Sequence, residues 1–166
     1  MKRCLRFLTS WLPNWQSART LSDDALVPDD DFAPEEDLYR RIRAAHVVNG
    51  RVIGAGVELG FPPACSFNRA KYSVPGDVIV ATSPEDNGIA FTQVDQVFVR
   101  ASTSGNVTWE TFVAHAPVPG HRSHTEVRLK RSGDVYDPRH RPGSEPFRKR
   151  IRELLAASLK ILRQPS

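Results

Sequence analysis

Pro34-Glu35-Glu36-Asp37-Leu38-Tyr39-Arg40-Arg41-Ile42-Arg43-Ala44-Ala45 is the stretch on which the fold turns. A proline followed by carboxylates suits the first turn of a helix, where no amide hydrogen is needed and negative charge meets the positive end of the backbone dipole. Read that way, Asp37 to Ala45 forms a short early helix that Gly50 ends, and the folded unit begins at Pro34.

Upstream, the sequence from Thr20 to Tyr39 holds no Lys or Arg but eight Asp and Glu, with Pro28 and Pro34 interspersed. Mutual repulsion and proline resist regular structure, so residues 1–33 read as a flexible arm and acidic linker. An alternative is that the acidic stretch folds back on a basic face and competes with an anionic ligand. The first residues place Leu5, Leu8, Trp11 and Leu12 at helical spacing beside Lys2, Arg3 and Arg6 until Pro13 stops the pattern. Weak interfacial contact of this arm is the only membrane role expected.

Downstream, alternation marks strands, most clearly in Thr108-Trp109-Glu110-Thr111-Phe112-Val113 and Glu126-Val127-Arg128-Leu129-Lys130. Further strands are expected at Arg51–Leu59, Asp77–Thr82, Ile89–Val94 and Val97–Ala101, separated by Pro/Gly/Asn turns. Phe147, Ile151, Leu154, Leu155, Leu159 and Leu162 trace one helical face after Ser144 and Pro146, until Pro165. The expected fold class is therefore α+β: a mostly antiparallel sheet of five or six short strands, an early helix, and a long C-terminal helix packed on one face. Residues 34–166 form one such domain, and a chain of 166 residues buries roughly 70% of its unfolded surface.

Cys4 and Cys65 sit in unlike surroundings with no CxxC pair, and read as reduced thiols. No A-x-A-like cleavage site follows the basic start, and no run of about 20 apolar residues is present. The expectation is a soluble cytoplasmic protein.

Charge is uneven. From Gly120 to the C-terminus twelve Arg and Lys stand against five Asp and Glu, an excess larger than the +4 of the whole chain. Arg122, Arg128, Arg148, Arg150 and Arg152 from this half, with Arg69 and Lys71 before it, are the candidate anion-binding residues. In Ser66-Phe67-Asn68-Arg69-Ala70-Lys71-Tyr72-Ser73 the rings of Phe67 and Tyr72 are candidate stacking surfaces and Asn68 a base-edge partner, a combination that holds single-stranded nucleic acid. His115, His121 and His124 fall within ten positions. Zinc needs at least three or four converging ligands, and an i,i+3 pair such as His121 and His124 on an extended strand points to opposite faces, so neither metal nor cofactor is expected. Facing each other across a hairpin, His115 and His124 would form an acid/base pair for phosphodiester cleavage, with Arg122 or Arg128 on the phosphate. An early Arg among Arg40, Arg41 and Arg51, then Ser102-Thr103-Ser104 and Glu110, is also similar to the residue order of ADP-ribosyltransferases, which implies NAD binding.

The order Tyr39-Arg40-Arg41-Ile42, Asn49-Gly50-Arg51, Ser66 to Ser73, Gly88-Ile89-Ala90-Phe91, His115-Ala116-Pro117 and His124-Thr125-Glu126-Val127 resembles small bacterial proteins of unknown function over residues 38–165. The resemblance implies that these segments form one unit and that His115 and His124 share a feature. It implies no activity. The expected function is a non-enzymatic bacterial binding module whose basic surface meets RNA, DNA or an acidic protein surface. The alternatives are a small metal-independent, His-dependent nuclease and a structural subunit of a protein complex.

Overall fold

The computed structural model describes residues 27–59, 63–79, 87–140 and 142–165. Residues 1–26 of the N-terminal arm, including Leu5, Leu8, Trp11, Leu12 and Cys4, lie outside the described residues, as does Thr82.

The expected early helix is a strand. Asp37–Ile42 forms β1, and the next turn, Ala44–His46, is a short 3-10 segment. Leu38 and Ile42 are both fully buried. A spacing of four places two side chains on one face of a helix and, being even, also on one face of a strand, so this pair is silent on the choice. Pairing on both sides decides it: β1 lies between β4 (Ala64–Arg69) and β5 (Gly88–Gln93), antiparallel to each.

β2 (Val47–Val48) and β3 (Arg51–Val52) form a hairpin across Asn49 and Gly50, both at positive φ. An Asn-Gly pair in that conformation is the turn whose twist matches paired strands. The expected strand Arg51–Leu59 shortens to β3, followed by a 3-10 turn at Gly54–Gly56. Asp77–Thr82 is likewise replaced, over its described residues, by a 3-10 segment at Pro75–Val78, with the Val74 amide donating to the Asp77 carboxylate at 2.8 Å. β6 (Arg100–Ser102), β7 (Thr108–His115) and β8 (His124–Arg131) follow, the last two where alternation places them.

Glu145–Ser158 forms α1, and the chain then turns into β9 (Lys160–Arg163), which pairs with β5. The expected helix is thus shorter than its apolar spacing suggests, and Leu162 projects outward at 52% exposure. The fold class is corrected accordingly: one antiparallel sheet of seven strands in the order β6-β7-β8-β4-β1-β5-β9, curled into a half-barrel, with α1 as the single α-helix among the described residues. Leu38, Phe67, Val127, Leu129 and Trp109 from the inner face pack with Phe147, Ile151 and Leu155 of α1 in one core. No helix among the described residues is long and apolar enough to cross a membrane.

Candidate functional site

Directly paired residues share a sheet face, so the ladder register sorts the side chains. Leu38 opposes Arg69 and Phe67 opposes Thr125, which opposes His115; these side chains share the inner face of the sheet. Tyr39 opposes Asn68 and Asn68 opposes His124, forming a row across β1, β4 and β8 on the outer face. His115 and His124 therefore lie on opposite faces of the hairpin and do not form an acid/base pair.

His115 is buried and both ring nitrogens are occupied. Nδ1 accepts from the Asp29 amide at 2.9 Å, which leaves Nε2 to donate to the Arg122 carbonyl at 2.6 Å. His124 lies 3.6 Å from Glu126 and its ring is 5.8 Å from that of His121. Burial, and secondarily the nearby His124, holds His121 below its ordinary value, against a smaller pull from Asp77.

The expected cations are scattered and mostly neutralised. Arg69 is fully buried, at 0% exposure, and its guanidinium grips Glu36 in a two-pronged pair at 2.9 and 2.8 Å. It also donates to the Asp29 and Asp31 carbonyls and lies 4.0 Å from the Phe32 ring centre. Burial works against its charge, but the Glu36 bond and the nearby carboxylates outweigh it and raise the pKa. Lys71 bonds Asp29 at 2.7 Å, and Tyr72 donates its hydroxyl to the same carboxylate. These bonds hold Asp29 far below the usual carboxylate range. The stretch Asp29–Glu36, part of it assigned by sequence to a free arm, is thus bonded to Arg69 and Lys71, not to the C-terminal face.

Arg128 pairs with Glu126 at 2.8 Å, and Arg148 and Arg152 both bond Glu145. Arg122 lies over the Tyr72 ring at 4.4 Å, and Arg150 is exposed on α1. Of the seven expected cations, Arg69, Lys71, Arg128, Arg148 and Arg152 are thus paired with carboxylates, whereas Arg122 and Arg150 have no carboxylate partner among the described residues. The stacking pair is separated too. Phe67 is in the core, while Tyr72 is stacked on His115 at 5.3 Å between ring centres. Glu110 pairs with Lys130 and receives a hydrogen bond from Ser132, and its strand β7 is separated from β1, which carries Arg40 and Arg41, by β8 and β4. The order shared with ADP-ribosyltransferases therefore assembles no site.

A different set converges. β1 and β4 pair only at Leu38–Arg69 and Tyr39–Asn68. Beyond that point Arg40 fills the opening, Nε donating to the Gly56 carbonyl and Nη1 to the Ser66 carbonyl, each at 2.6 Å. Beside this split lies a cavity of about 630 Å³, walled by β1, the outer side of β4, the Pro75–Val78 turn and the turn at Pro119–His121. Arg40, Arg41, Arg43, His46 and His121 line it together with Glu58 and Asp77, with Tyr39, Val78 and Pro119 supplying apolar surface. Asn68 lines the wall at 5% exposure, and its side-chain nitrogen is buried without an acceptor. Arg41 has no carboxylate partner among the described residues. Gly120, at φ +76, turns the covering loop with open space beside it.

Sequence reading names Asn68 as a base-edge partner but groups it with Phe67, Arg69 and Tyr72. Strand alternation in Ala64-Cys65-Ser66-Phe67-Asn68-Arg69, with Cys65, Phe67 and Arg69 inward, puts it on the other face. Compared with protein-family models, curated proteins and solved structures, the chain matches none.

Proposed function

We propose that the protein is a non-enzymatic bacterial binding module for an anionic partner, and that the partner's charged group enters the cavity beside the β1–β4 split instead of resting on the outer face of α1. The observation that carries this reading is the Asn68 amide, a buried donor with no acceptor on the wall of an arginine-lined cavity. A buried donor left unpaired costs about 1–3 kcal/mol, and a bound anion that accepts from it removes that cost. Arg41 supplies charge not committed to a carboxylate among the described residues, and Arg40 is already fixed by two backbone carbonyls, so part of the site is pre-organised. His115 serves the fold through its two backbone bonds and takes no part in chemistry. The cytoplasm is the proposed location, in keeping with a buried Cys65 thiol that burial pushes up to about 11, a form resistant to oxidation.

The test is a titration of the ¹⁵N-labelled protein with sodium phosphate at constant ionic strength. Saturable shifts of the Asn68 side-chain amide and the Arg41 Nε resonances are expected, and Arg41→Ala is expected to weaken binding about tenfold, equivalent to roughly 1.4 kcal/mol. Shifts confined to Arg148, Arg150 and Arg152, or a linear response without saturation, would overturn the assignment.

A further inference from the structure

Building on that reading, we propose that the group received by the cavity is a single nucleotide unit, with its phosphate at Arg41 and the edge of its base read by the Asn68 carboxamide. A carboxamide presents a donor and an acceptor side by side, the complement of a base edge, whereas a bare phosphate answers only the donor. The space is consistent with a body larger than an inorganic anion: about 630 Å³ falls within the range of sites that enclose an organic ligand. Its lining is also mixed. Tyr39 lies in the same cross-strand row as Asn68, and Val78 and Pro119 extend the apolar surface, so a planar ring has flat and aliphatic partners on the walls that carry the polar groups. His121, held below its ordinary value by burial and by His124, lines the same cavity, and its neutral form offers one donor and one acceptor.

The same chemistry is offered by a free mononucleotide and by the terminal nucleotide of a single strand. Calorimetric titrations of the full chain would compare the four ribonucleoside 5′-monophosphates, ribose 5-phosphate, inorganic phosphate and a 5′-phosphorylated RNA hexamer. At least one mononucleotide is expected to bind tenfold or more tightly than ribose 5-phosphate. In Asn68→Leu that advantage should disappear while binding of ribose 5-phosphate is kept, and Arg41→Ala should weaken every phosphate-bearing ligand. A thermal melt of each variant checks folding, and Asn68→Gln, which keeps the carboxamide on a longer stem, should retain part of the base preference. A hexamer as tight as the best mononucleotide assigns the site to a strand end; a weaker one assigns it to the free nucleotide. Equal affinity for ribose 5-phosphate and all four mononucleotides overturns the nucleotide assignment and leaves the anion-binding reading standing. Failure of inorganic phosphate and every other anion to bind removes both.

Discussion

Asn68 and Asp29 show how one side chain reports on its surroundings in opposite ways. The Asn68 amide is buried without an acceptor. If it is kept for a ligand, the unliganded fold is less stable for it, and the substitution Asn68→Leu, of the same branching, should raise stability by about 1 kcal/mol in denaturant unfolding. A loss of stability would mean that the amide is satisfied in solution. Asp29 is over-satisfied: Lys71 and Tyr72 bond its carboxylate and its pKa lies well below the ordinary 3.8. Its contribution is therefore present in full above the unfolded-state value and is lost as pH falls through the acidic range, because the unfolded chain takes up the proton first. Unfolding midpoints measured from pH 7 to pH 2 should show wild type above Asp29→Asn at neutral pH, with the two converging toward pH 2.

Among the elements, β1 is the instructive case. Proline and carboxylates at 34–37 carry local helix signals worth a few tenths of a kcal/mol to about 1 kcal/mol each. A central strand gains ladder bonds on both sides and buries Leu38 and Ile42 completely, and that tertiary term wins. In the β2–β3 hairpin the local signal prevails: Gly50, which the sequence reading takes as a helix end, forms a two-residue turn with Asn49. Gly50 sits at φ +72 with no atom within 4 Å of the place a methyl group would occupy, so Gly50→Ala should cost about 1 kcal/mol through backbone strain and not through a clash. The thermal midpoint checks this; an unchanged midpoint would show that the hairpin contributes nothing to cooperative unfolding. β9 departs from the helical pattern because Ile161 and Lys160 can pair with the otherwise open edge of β5, and an unpaired buried edge is more costly than a lost last turn of helix.

For the whole molecule, charge and its arrangement must be separated. The chain is basic, yet Glu36, Asp29, Glu126 and Glu145 each hold a cation that composition alone would leave available. Arg69 and Glu36 form a buried pair whose disruption at one partner leaves an uncompensated charge, which makes it part of the fold and not a reserve for binding. Bulk nucleic-acid binding should therefore be shallow in salt. A seven-cation patch predicts a log–log slope of about −5 to −6 for single strands or duplex, while contact through only two of those seven, Arg122 and Arg150, the ones without a carboxylate partner among the described residues, predicts a slope of about −1 to −2. Fluorescence anisotropy with a labelled oligonucleotide between low and physiological salt distinguishes the two, and a slope steeper than about −4 would restore the patch.

Much of the strand set is legible in this sequence because a half-buried strand must alternate, and β7 and β8 do so with turn residues at their ends, while β5 is marked instead by a short continuous apolar run between turns. The identity of β1, the early end of α1 and the partners of Arg69 are not, because each depends on residues distant in the chain: β4 and β5 for β1, β5 for β9, and Asp29 to Glu36 for Arg69. By itself the sequence determined where the chain can alternate, turn and carry charge. Only the tertiary structure decided which faces those side chains share, placing His115 inward and His124 outward and bringing Asn68 to Arg41, because a sheet assigns its faces by pairing register, and register is set by contacts between strands rather than within them.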